Sequence, residues 1–117
     1  MTDQYEGSED AFQISAMQYL RYCYPDVLAF HVPNGGKRSA REGAKFKRQG
    51  VLAGVPDILI IKQKGSFSGF AIELKVKGGR LSPAQKERLQ QFEAAGFKTL
   101  VTYSFDELII EIDAYLS

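Results

Sequence analysis

Val55-Pro56-Asp57-Ile58-Leu59-Ile60-Ile61 is followed, across Gly65-Ser66-Phe67-Ser68-Gly69, by Phe70-Ala71-Ile72-Glu73-Leu74-Lys75-Val76-Lys77. The first run is apolar at successive positions, which suits a strand covered on both faces, and Pro56 is tolerated because it stands at the head of the run. The second alternates. Phe70, Ile72, Leu74 and Val76 point one way, and Ala71, Glu73, Lys75 and Lys77 the other. Joined by a Gly/Ser turn, the two runs predict a hairpin at the centre of a sheet.

The flanking segments supply the layers around it. Ser8 is placed as an N-cap, and Phe12, Ala16, Leu20 and Cys23 share one face of a helix that stops before Pro25. Val27–Val32 is a short β-rich run ended by Pro33-Asn34-Gly35-Gly36. Downstream, Gly78-Gly79 ends the hairpin, and Ser82-Pro83 opens a second helix with Gln85 at the capping-box position. Leu89 and Phe92 are its expected core contacts, and Gly96 is its stop. Lys98–Tyr103 is a last strand, and Ser104 caps a final helix carrying Leu108, Ile109, Ile112 and Leu116. The order is αβββαβα, with a long excursion after the first strand in which Ala40–Lys47 is helical. The fold class is α/β, a mixed sheet of about four strands flanked by helices.

At 117 residues the chain has the size of one domain, 1–117, with a modest core. With 44% hydrophobic and 25% charged residues, neither disorder nor a fibrous repeat is credible. No apolar run reaches the ~18 residues that span a bilayer, and the acidic start lacks the basic region of a signal peptide, so no membrane association and a cytoplasmic location are expected. One cysteine, Cys23, allows no internal disulfide, and with one histidine it cannot make a zinc site.

Charge is unevenly distributed. Pro33–Val55 holds Lys37, Arg38, Arg41, Lys45, Lys47 and Arg48 against Glu42 alone, a balance of +5, while the rest carries nine basic and thirteen acidic groups, a balance of −4. A mildly acidic body with one basic segment suits a polyanionic partner. A solvated loop whose lysines serve only solubility fits the charge equally well.

The hairpin carries the chemistry. Asp57 heads one strand, and Glu73 and Lys75 lie in the middle of the next, sharing a face at ~6 to 7 Å. If Asp57 lies beside Glu73, two carboxylates converge, an arrangement that is costly unless a hard divalent cation sits between them. Mg²⁺ is the ion that binds through one or two carboxylates plus water and phosphate oxygens. Lys75 can then orient the attacking water or steady developing charge. The alternative is an exposed salt-bridge face made by Glu73 and Lys75. Glu9 sits at the edge of the first helix's buried stripe, where it either complements the helix dipole or points into a site below.

Pro56-Asp57 followed by Glu73-Leu74-Lys75 resembles the PD-(D/E)xK nuclease signature. Glu9, His31-Val32-Pro33-Asn34-Gly35-Gly36, Gln49–Asp57 and Leu81-Ser82-Pro83-Ala84-Gln85 narrow the resemblance to a stand-alone virus-type replication-repair nuclease (VRR-NUC) domain of phage or bacterial type, from Glu9 to the end of the last helix. The resemblance implies a catalytic set of Glu9, Asp57, Glu73, Lys75 and Gln85, with metal held by Asp57, Glu73, the Leu74 carbonyl and Glu9. It adds His31 and Asn34 as DNA contacts beside Lys37, Arg38, Arg41, Lys45, Lys47 and Arg48. It implies an Mg²⁺-dependent endonuclease, with Mn²⁺ able to substitute, that cleaves branched DNA such as Holliday junctions and acts as a homodimer. The apolar residues Leu108, Ile109, Ile110, Ile112, Tyr115 and Leu116 would supply the surplus surface for that dimer. The competing function is a non-catalytic nucleic-acid-binding module built on the basic 33–55 segment. The sequence leaves two readings of Gln85 open, a site residue or only a helix cap.

Overall fold

The structure, a computed structural model, describes residues 3–33 and 39–117. Among these, the elements run α1 (Glu9–Cys23), β1 (Ala29–His31), α2 (Ala40–Arg48), β2 (Ile58–Ile60), β3 (Gly69–Leu74), α3 (Pro83–Ala94), β4 (Phe97–Thr102) and α4 (Phe105–Leu116). The strands form a mixed sheet in the order β1-β2-β3-β4. The first two pairings are antiparallel, with Phe30 opposite Leu59 and Leu59 opposite Ala71, and β3 and β4 are parallel, with Glu73 opposite Val101. The expected hairpin and the strand–helix–strand crossover through α3 are both present. The Ala40–Lys47 helix is α2, one residue longer than expected.

Each helix begins where a short polar side chain can take an orphan backbone N–H. Ser8 accepts from Ala11, Ser39 from Glu42, Ser82 from Gln85 and Ser104 from Glu107. α1 and α4 then cover one face of the sheet. Phe12, Ala16 and Leu20 of α1 and Leu108 and Ile112 of α4 meet Phe70, Ile72 and Leu74 of β3 in one buried cluster with Ile58 and Ile60. Burying each large apolar side chain there contributes about 1.5–3 kcal/mol. The alternation of β3 turns Ala71 and Glu73 to the opposite face, and they are buried as well, so β3 is covered on both sides.

Several expectations are corrected. β2 and β1 are shorter than the runs that announced them. β1 is one of the two edge strands, and Leu28 just before it and Phe30 within it stay exposed. Ahead of β2, Pro56 has no N–H to give, and the Asp57 carbonyl takes the N–H of Val32 at 2.8 Å. Cys23 is exposed, because the buried stripe of α1 ends at Leu20 and Tyr24 packs in its place. Phe92 is only half-buried and meets Phe97 edge-on, with ring centroids 5.2 Å apart. α4 spends Leu108, Ile112 and Tyr115 on the monomer's own core, which leaves Ile110, 59% exposed, as its widely open apolar side chain. The surplus apolar surface expected of this helix is therefore small.

Glycine at 54 fixes how the excursion returns. Its φ is +81°, and a Cβ there would stand 2.6 Å from the Ala84 carbonyl carbon and 2.7 Å from the Gln85 nitrogen. Only glycine lets the chain pass this close to the first turn of α3. That passage brings the segment after α2 against α3 and the Asp57 end of β2. Among the described residues, no helix is long and apolar enough to cross a membrane.

Candidate active site

Two elements and one loop deliver carboxylates to a single point. Glu9 stands at the first position of α1, directly after its cap; Asp57 ends the loop before β2; Glu73 lies in β3. Each offers an oxygen within 4.8 Å of the other two. Glu73 is 1% exposed, so it is not half of a surface salt-bridge face, and its Oε1 has no hydrogen-bond partner among the described residues. Burial raises its pKa first and the neighbouring charge of Asp57 second, with Lys75 opposing, and the carboxyl is pushed up to about 9. A buried oxygen without a donor, beside two more carboxylates, fits a hard divalent cation, which takes only oxygen ligands.

The lysine and glutamine complete the cluster. Lys75, one residue past β3, is 6% exposed; its Nζ lies 3.9 Å from Glu73 Oε2 and donates to Gln85 Oε1 at 3.0 Å. Gln85 Nε2 reaches Glu73 Oε2 at 3.3 Å. The same Oε1 accepts the Ser82 N–H at 2.9 Å, while the Gln85 N–H goes to Ser82 Oγ at 3.1 Å. Gln85 is thus a capping-box residue and a neighbour of Glu73 and Lys75 at once, because the N-terminus of α3 points at them.

Asp57 is held from two sides. Its Oδ2 accepts the Leu74 N–H at 2.8 Å, tying the head of β2 to the end of β3, and its carbonyl accepts from His31 Nδ1 at 2.8 Å. His31 lies on the cleft wall rather than in the core. The cleft has a volume of roughly 590 Å³ and is also lined by Glu9, Gln13, Gly54, Leu74 and Gln85.

The structure therefore brings together Glu9, Asp57, Glu73, Leu74, Lys75, Gln85 and His31. Arg41, Lys45, Lys47 and Arg48 stand exposed along α2, outside the carboxylate cluster. Asn34, Lys37 and Arg38 lie outside the described residues.

One residue escapes the sequence reading. Gln13, one helical turn after Glu9, lines the cleft with both side-chain amide atoms buried and without a hydrogen-bond partner among the described residues. The signal was available, since i,i+4 places Gln13 on the side of α1 that carries Glu9. A polar residue at that spacing from a candidate ligand stands out only once Glu9 is known to face inward.

A mixed four-stranded sheet that presents an aspartate at the head of one strand and Glu-x-Lys at the end of its neighbour defines the PD-(D/E)xK class of nuclease. The VRR-NUC domain model matches residues 8–106, and the chain belongs to that family. A solved structure described as a VRR-NUC domain protein is 31% identical, with 96% of this chain and 91% of that one aligned and a TM-score of 0.76. A second, described as a VRR-NUC domain, is 19% identical over 89% of this chain and 97% of its own, TM-score 0.55, and shares the fold. No curated protein matches. The family is a nuclease family, so the substrate is DNA.

Proposed function

We propose that residues 1–117 act as one Mg²⁺-dependent endonuclease domain on branched DNA, with Mn²⁺ able to substitute. The observation that carries this reading is the buried, unpartnered Glu73 Oε1 within 4.8 Å of oxygens from Asp57 and Glu9. Asp57, Glu73, Glu9 and the Leu74 carbonyl would hold the ion. When bound, it supplies charge neutralisation at the scissile phosphate and a lowered pKa for the attacking water.

The chain's own groups do the rest. Gln85 fixes the Lys75 ammonium by accepting one of its three N–H bonds. The remaining protons of Lys75 can hold the attacking water and meet negative charge as the new P–O bond forms and the old one breaks. His31 and the Leu74 N–H keep Asp57 from turning away. Gln13 donates its amide to a non-bridging phosphate oxygen, which satisfies a group that is otherwise costly to bury. The basic side chains of α2, with Asn34, Lys37 and Arg38, hold the DNA backbone and read no bases.

The test is cleavage of linear duplex, flap and four-way-junction DNA by purified protein with Mg²⁺ and with chelator. Cleavage of the branched forms, dependent on Mg²⁺, is expected. Tight binding of all three with no cleavage in Mg²⁺ would overturn the reading in favour of a non-catalytic binding module.

A further inference from the structure

Beside the carboxylate cleft lies a second hollow of roughly 570 Å³, walled by Phe46 and Lys47 of α2, by Val51, Leu52 and Ala53 of the returning loop and by Arg88 of α3. Ala53 lines both hollows, so they are neighbours. Their chemistry differs. The first is acidic, whereas the second pairs an aromatic ring and aliphatic walls with two cations.

Arg88 is the telling residue. Its guanidinium is mostly covered, with the side chain 16% exposed, and its Nη1 makes only weak contacts, 3.3 Å to Gln91 Oε1 and 3.6 Å to the exposed Glu87. Its Nε is buried without a hydrogen-bond partner among the described residues. An arginine fork held in this way beside an apolar wall suits a phosphate flanked by a flat, hydrophobic group. Val51 and Leu52 are 43% and 54% exposed, so the wall stands open to a ligand. Gly54, at a position that only glycine can occupy, fixes this loop against α3 and keeps the hollow next to the cleft.

We infer that this hollow binds one unpaired nucleotide of the DNA strand adjacent to the cleaved phosphate, its base against Phe46, Val51 and Leu52 and its phosphate between Lys47 and Arg88. The inference rests on the nuclease reading for its orientation, and it gives that reading a source of structure selectivity. A base must leave the duplex to enter the hollow. Branch points, where bases are already unstacked, lose least in supplying it. The charge of the surrounding helix is complementary, since α2 carries Arg41, Lys45, Lys47 and Arg48 against Glu42.

The experiment measures binding in Ca²⁺, so that it does not depend on cleavage, using a fully paired oligonucleotide duplex and the same duplex with a single-stranded arm carrying aminopurine at the branch. Wild type is expected to quench the aminopurine and to bind the armed DNA more tightly. Phe46→Ala should weaken binding of the armed DNA by roughly five- to hundredfold and abolish the quench, while affinity for the paired duplex stays unchanged. Phe46→Trp should restore both signals, and Arg88→Gln should weaken the armed DNA selectively. Equal losses on both DNAs, no loss on either, or no rescue by Trp would overturn the inference. Absence of Mg²⁺-dependent cleavage alongside the expected selective binding would sink the nuclease reading and leave the hollow standing.

Discussion

A carboxylate as deeply buried as Glu73 lowers the stability of the chain that carries it when no cation is present. Its pKa rises from 4.5 to about 9, so between these values the folded metal-free chain keeps a proton that the unfolded chain releases. The stability linked to this group is therefore complete below pH 4.5 and is lost as pH rises toward 9, by up to about 1.4 kcal/mol per pH unit. Glu73→Gln, neutral throughout, should melt at a higher temperature than metal-free wild type, with the gap widening from pH 5 to pH 8. Mg²⁺ or Mn²⁺ should raise the melting temperature of wild type and not of the variant. Differential scanning fluorimetry reads both, and a variant less stable than wild type at pH 8 without metal would contradict the account. Gln13 follows the same logic. Gln13→Met removes an unpartnered amide at similar volume, so stability should hold or rise while cleavage falls by on the order of tenfold to a hundredfold. Single-turnover kinetics beside the melt decide it, and full activity in the variant would remove Gln13 from the site.

Elements explain what the sequence could and could not disclose. The α1 cap, the β2–β3 hairpin, the capping box and the crossover are legible because their signals are local: Ser8, Ser82-Pro83 and the strict alternation from Phe70 to Val76. Asp57, Glu73 and Lys75 are legible as a group because adjacent strands convert a turn length into a contact. The two hollows are not, since they depend on the approach of Gly54 to Ala84 across thirty residues, which no periodicity encodes. The same holds for Asp113, which accepts from Tyr19 and Tyr24 at 2.6 Å each and locks α1 to α4; those two hydroxyl donors hold its carboxyl below the ordinary range. Cys23 and Phe92 differ from expectation because periodicity assigns a face without saying where the covering element ends. α2, amphipathic and basic but with no buried residue, is an element whose function lies outside the core. Lys45→Ala with Lys47→Ala should weaken binding to all DNA sequences alike and flatten the logarithmic salt dependence by about one unit of slope for each phosphate that is no longer neutralised. A titration of affinity against salt with an unchanged slope would return these residues to a solvated surface.

At the scale of the molecule, the described residues of one chain bring one carboxylate cluster, while resolving a four-way junction takes two symmetric nicks. The proposed active form is therefore a two-fold dimer. α4 contributes little to it beyond Ile110, so its surface must draw on other exposed apolar side chains, of which Ile14 and Tyr22 of α1, 58% and 88% exposed, are the largest pair on one helix. Light scattering at micromolar concentration should give twice the 13.1 kDa chain mass. A monomer that resolves junctions fully would refute the dimer. The claim beneath all of this is that phosphodiester hydrolysis takes place where Asp57, Glu73 and Lys75 meet. The rate of four-way-junction cleavage in Mg²⁺, measured under single-turnover conditions for wild type and for Asp57→Asn, Glu73→Gln and Lys75→Ala, tests it most directly. Each variant is predicted to stay folded, to keep its affinity for the junction and to lose cleavage by about a thousandfold or more; cleavage by folded Glu73→Gln at near the wild-type rate would contradict the account.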